Sequence, residues 1–282
     1  MTEAKDSESR RRYWTEQSER GYRLVQQIEA FPVHECCEGF ASLKDAAVAS
    51  DVEMLFSESK IAGEFDRVFF LRESLVKDII TIARDMNQRG WILKIEDGYR
   101  SLDMQKQLGA KPDIFDAILK KCIWENGGTI PPVEIIFRRG SVLVANLPKV
   151  GTHMSGTAVD ISVFRRDDGT EVWRGNTYLE MSERTPMRSP FVEPEALQNR
   201  LEITAMMEAH GFMHFPFEFW HFNKHDALGN ILTQNTAPAK FGPVHWDATT
   251  NQVTPVENPS EPLRPLPEIE QEILAAVERA RN

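Results

Sequence analysis

Apolar residues recur along much of this chain at spacings of three and four. From Arg72 to Arg89, Leu75, Ile79, Ile80, Ile82 and Ala83 mark one helical face, and Gly90 supplies the stop. Tyr13 to Phe31 carries Tyr22, Leu24, Val25 and Ile28 among charges and predicts an amphipathic helix that Gly21 weakens. Pro112 to Trp124, Glu195 to His210 and Glu268 to Arg281 show the same period. Between Pro32 and Phe69 no period holds, which predicts loops and short strands.

The strand signals are shorter. Trp91-Ile92-Leu93-Lys94-Ile95 is a buried-strand pattern running into Glu96-Asp97-Gly98-Tyr99-Arg100-Ser101, where Ser101 can cap a short helix carrying Gln105. Ala158 to Phe164 is rich in β-branched residues, and Arg165-Arg166-Asp167-Asp168-Gly169-Thr170 supplies a turn after it. Glu134 to Phe137 and Ser141 to Ala145 alternate around Arg139-Gly140, which predicts a hairpin. Phe212 to Phe215 and Phe219 to Asn223 predict two aromatic strands broken at Pro216. The pattern as a whole predicts an α+β fold, a small antiparallel sheet flanked by helices. Residues 1–50 form an N-terminal helical segment and 51–233 the domain with the candidate chemistry. Residues 234–282 form an extended Pro-rich tail ending in a helix.

Composition narrows the function. The net charge of -10 over 282 residues, with no lysine- or arginine-rich stripe, argues against nucleic acid as the main partner. Cys36 and Cys37 are neighbours and Cys122 sits in a helical pattern, so no disulfide framework is expected and Cys122 reads as core. Residues 1–12 hold no apolar secretion core and no apolar run approaches a membrane span. The expectation is a cytoplasmic protein with no membrane partner, acting on a small substrate. The C-terminal helix either packs back or joins two copies as a homodimer.

The candidate chemistry lies in two distant segments, Gly151-Thr152-His153-Met154-Ser155-Gly156-Thr157-Ala158-Val159-Asp160 and Phe217-Glu218-Phe219-Trp220-His221-Phe222. Two imidazoles and one carboxylate, His153, His221 and Asp160, suit a single zinc ion better than calcium or magnesium, which favour oxygen ligands. The odd spacing of His153 and Asp160 would place them on opposite faces of one straight strand, so the chain must turn between them, at Gly156. Glu218 lies three residues before His221 and must sit ahead of the strand proper to serve as a general base there. Arg100 is the candidate donor to a tetrahedral oxyanion, because a guanidinium stays charged and forks two hydrogen bonds.

His-Met-Ser-Gly-Thr-Ala-Val-Asp followed by Glu-Phe-Trp-His resembles the paired zinc motifs of the D-alanyl-D-alanine peptidases, the group related to lysostaphin and hedgehog. Asp97-Gly98-Tyr99-Arg100-Ser101 resembles that group's arginine motif, and the motif order is most similar to the vancomycin-resistance-type D-alanyl-D-alanine dipeptidases. The resemblance spans Val52 to Asn223 and implies a hedgehog-like fold with one zinc per chain. It implies that His153, Asp160 and His221 are zinc ligands, Glu218 the base and Arg100 the transition-state donor. Gly151 stands where the group usually has serine, and Tyr178-Leu179-Glu180 stands where the dipeptidases carry an aromatic-Asp pair for the substrate's amino group. Gly151, Glu180 and Trp220 are the substrate-binding candidates.

The expected function is zinc-dependent hydrolysis of D-alanyl-D-alanine or a similar D,D-dipeptide. A D,D-carboxypeptidase or endopeptidase on peptidoglycan stems is the alternative, and a non-catalytic zinc-stabilised binding module a third reading, against which the presence of both Glu218 and Arg100 argues.

Overall fold

A computed structural model describes residues 2–281. Its centre is a five-stranded sheet: β2 (Met54–Phe56), β4 (Trp91–Asp97), β5 (Ala158–Arg165), β7 (His221–Asn223) and β6 (Met213–His214), side by side in that order. Every pairing from β4 onward is antiparallel, as expected, whereas β2 joins the edge of β4 in parallel. Before β2 run α1 (Thr2–Ala30), β1 (Phe40–Ser42) and α2 (Leu43–Ala49), and between β2 and β4 come β3 (Phe70–Arg72) and α3 (Glu73–Gln88). β1 and β3 form a separate antiparallel pair.

The helix α3 shows how the core is laid down. Leu75, Val76, Ile79, Ile80, Ile82, Ala83 and Met86 are all buried, and they meet Leu93, Ile95, Val159, Ile161 and Val163 from β4 and β5 in one apolar cluster. Each large side chain moved out of water in this way contributes about 1.5–3 kcal/mol. Ser101 caps α4 (Leu102–Ala110) by accepting from Met104 N at 3.2 Å, as its position predicts.

After α4 come α5 (Pro112–Glu125) and α6 (Val133–Leu143), and here the expected hairpin is wrong. Residues 133–143 are helical, with Ile136, Arg139 and Val142 buried along one face. Arg139 in that stripe disguises its helical period; it is held there by Glu125 at 2.5 Å and Glu19 at 2.8 Å. Gly21 does not interrupt α1. A Cβ there would come within 2.7 Å of Val142 Cγ1, so the glycine lets α1 lie close against α6.

Beyond β5 follow α7 (Pro194–Glu208), the β6–β7 pair, and α8 (Ala227–Leu232). The C-terminal segment differs from the extended tail expected. β8 (Val244–Asp247) and β9 (Gln252–Pro255) form a hairpin whose Trp246 packs at 4.8 Å from the Phe40 and Phe70 rings. The last helix, α9 (Leu266–Arg279), seats Ile269, Ile273 and Ala276 against α5 and α6 of its own chain. Among the described residues no helix is long and apolar enough to cross a membrane.

Candidate metal centre

The sheet register builds the site. Asp97 at the end of β4 pairs with Asp160 on β5, and Asp160 pairs with His221 on β7, so three polar residues lie in a row across adjacent strands. A register shift between Ile95 and Asp97 brings Asp97 into that row. His153 arrives from a 3-10 turn, Thr152–Ser155, that ends at Gly156 with φ +68. That left-handed residue reverses the chain before β5, which is how His153 and Asp160 come to the same side. Glu218 lies in the turn ahead of β7. Phe215 N donates to His221 O at 2.9 Å and Glu218 N to Phe215 O at 3.3 Å, closing a loop around Pro216.

His153, Asp160 and His221 are buried, and one ligand atom from each lies within 4.8 Å of the others. Asp160 Oδ1 is 3.2 Å from His153 Nε2 and 3.0 Å from His221 Nδ1. The far sides of the rings are anchored as well. His153 Nδ1 donates to Gly98 O at 2.7 Å, and His221 Nε2 lies 2.8 Å from Thr152 Oγ1. A carbonyl can only accept, so the His153 proton toward Gly98 is on Nδ1, which leaves Nε2 as the ring atom that faces Asp160 and would ligate a metal. Burial lowers the His221 imidazole below its usual value despite the neighbouring carboxylate. A nitrogen–nitrogen–oxygen donor set with anchored outer faces fits zinc.

The second carboxylate oxygen of Asp160 is tied down separately. Oδ2 accepts from Tyr178 Oη at 3.0 Å and from an Arg100 terminal nitrogen at 3.3 Å, leaving Oδ1 as the ligating atom. Burial opposes ionisation of Asp160, but His153 and His221 outweigh it and hold the carboxyl well below the usual carboxylate range. Burial also pushes the Tyr178 phenol well above its usual value, with the Asp160 and Asp97 charges adding to the effect, so the hydroxyl keeps its proton and donates it.

Arg100 is buried at 7% exposure, and its charge is secured by carboxylates on either side. Its Nε donates to Asp97 Oδ2 at 2.6 Å and one terminal nitrogen to Gln105 Oε1 at 3.2 Å. Burial alone would lower its pKa; Asp97 and Asp160 reverse that and raise it. Asp97 also receives Arg67 at 2.9 Å, so one fully buried carboxylate holds two guanidinium groups. Glu218 is half-buried at the cavity edge, where burial and then the charge of Asp160 push its carboxyl up to about 8.

A cavity of about 530 Å3 opens onto these groups, and Gly151, Glu180 and Trp220 all border it. Trp220 is otherwise a core residue, 1% exposed, with its ring 5.6 Å from that of Tyr178. The sequence reading thus finds the residues that the structure brings together, and it misses three supports. Asp97 appears there only as part of the arginine motif, Tyr178 only as a neighbour of Glu180, and Thr152 only as a neighbour of His153. Only the Asp97-to-Arg100 spacing, preceding a capped helix, carried a local signal.

The family described as D-ala-D-ala dipeptidase matches residues 64–239, more than half of the chain. A D-alanyl-D-alanine dipeptidase of Enterococcus faecium is 26% identical over 171 residues, covering 59% of this chain and 75% of that protein. One from Enterococcus faecalis is 26% identical over 136 residues, covering 47% of this chain and 62% of its own length. One from Escherichia coli is 39% identical over 70 residues, covering 25% and 36%. Among solved structures, the LdcB LD-carboxypeptidase aligns over 67% of this chain and 73% of its own, at 19% identity and a TM-score of 0.35.

Proposed function

The chain belongs to the D-ala-D-ala dipeptidase family of metallopeptidases, and we propose that it hydrolyses D-alanyl-D-alanine or a similar D,D-dipeptide with zinc held by His153, Asp160 and His221. The observation that carries this reading is the convergence of three anchored donor atoms beside a carboxylate and a guanidinium that both border one cavity. Bound zinc supplies Lewis acidity and a water whose pKa falls to about 7.

The chain's own groups do the rest. Glu218 takes the proton of the attacking water on its carboxylate and hands it to the leaving amine. Arg100 is fixed through Asp97, Asp160 and Gln105, and each of its terminal nitrogens keeps a second N–H for the oxygen that becomes negative. Glu180, exposed at the cavity rim, offers a carboxylate to the substrate's free amino group. Tyr178 and Thr152 act through the ligands they anchor.

The test is turnover of D-alanyl-D-alanine beside a stem pentapeptide by the zinc-loaded protein. Dipeptide cleavage that a chelator abolishes and zinc restores is expected. Glu218→Gln should lower kcat by about 10²–10⁴ while zinc still binds. A folded, zinc-loaded protein that cleaves only the pentapeptide would replace this reading with the carboxypeptidase one, and cleavage of neither the pentapeptide nor any D,D-dipeptide would refute both.

A further inference from the structure

Apart from the polar groups of the site, the cavity is lined largely by apolar residues. Leu24 and Ile28 of α1, Ile114 of α5, Leu143 at the end of α6, Val144 just after it, and Phe215 line it. All but Ile28 are only half-buried, so they present unsatisfied apolar surface to the space. The other charged groups that line it are the exposed Glu180 and an ion pair between Lys111 and Asp113 at 3.0 Å. Water is poorly held against such a wall, and an apolar group that displaces it is favoured. The volume of about 530 Å3 falls within the range of about 300–1,000 Å3 typical of pockets that enclose drug-sized ligands. D-alanyl-D-alanine has only two methyl side chains and would leave this wall wet.

We infer that the preferred substrate is a D,D-dipeptide carrying a bulky apolar side chain, aliphatic or aromatic, seated against the wall made by α1, α5 and α6. The inference rests on the dipeptidase reading above for the chemistry, but on the cavity alone for the side chain. Its α1 portion, Leu24 and Ile28, lies before residue 64, outside the segment that matches the family. Gly21 makes it possible by letting α1 approach α6.

The experiment compares D-alanyl-D-alanine with D-Ala-D-Leu, D-Ala-D-Phe, D-Leu-D-Ala and D-Phe-D-Ala on the zinc-loaded full chain. It follows kcat/KM for the wild type and, by calorimetry, binding to Glu218→Gln. At least one bulky dipeptide should exceed D-alanyl-D-alanine tenfold or more in both measurements, since even a single buried methylene is worth roughly tenfold. Val144→Phe, or Leu24→Phe if the first variant fails to fold, should narrow the pocket and reduce that ratio at least fivefold. Turnover and binding that both favour D-alanyl-D-alanine would overturn the inference and leave the dipeptidase reading intact. Tighter binding of the bulky dipeptide without any turnover would do the reverse.

Discussion

The Tyr178 hydroxyl donates to Asp160 Oδ2 at 3.0 Å, while the other oxygen of the same carboxylate faces both histidine nitrogens. A loop residue thus fixes which atom of Asp160 is presented to a metal. Tyr178→Phe removes that donor and little else, and supporting partners of this kind are worth roughly 10–100-fold in metal affinity or activity. Zinc affinity, measured by competition with a chelator, should fall by about tenfold with the fold unchanged by circular dichroism. An unaltered affinity would show that Arg100 alone suffices to orient the carboxylate.

Asp97 is the counter-charge for two buried cations, Arg67 at 2.9 Å and Arg100 at 2.6 Å. Asp97→Ala leaves both without it, and breaking a buried pair by deleting one partner costs about 3–5 kcal/mol. Urea unfolding of the metal-free protein should report a loss of that size. A loss below about 1 kcal/mol would mean that water or another carboxylate takes over.

At Gly156 the backbone has φ +68, and an added Cβ would lie 2.1 Å from Phe40 Cε1. Gly156→Ala therefore combines left-handed strain of about 1–2 kcal/mol with overpacking of about 1–3 kcal/mol. Because the turn sets His153 against Asp160, zinc affinity should fall together with the unfolding midpoint. Loss of stability with full zinc affinity would separate the turn from the site.

Cys122 is buried, and burial pushes its thiol up to about 12, with Glu125 adding to the shift, whereas Cys36 and Cys37 are exposed. The thiolate is the reactive form, so at pH 8 the native protein should show two rapidly titrating thiols per chain. The third should react only after denaturation. Three fast thiols in the native state would place Cys122 at the surface.

The elements legible in the sequence are those whose signal is local. α3, α5 and α7 announce themselves by period, Ser101 by its cap position, and the turn at Gly156 by the parity of the interval from His153 to Asp160. The residue types at 153, 160, 218 and 221 state a chemistry by themselves, because few functions bring two imidazoles and two carboxylates together in that pattern. What tertiary structure alone decided depends on pairing between distant segments. The role of Asp97 follows from a shifted register against β5, Tyr178 reaches Asp160 from a loop, and Arg139 makes α6 a helix by finding Glu19 and Glu125. The apolar side of the cavity exists only once α1 docks on α6, and no periodicity within α1 states which neighbour its apolar face will meet. Local propensity is written residue by residue, whereas register and docking are set by the free energy of contacts across the whole fold.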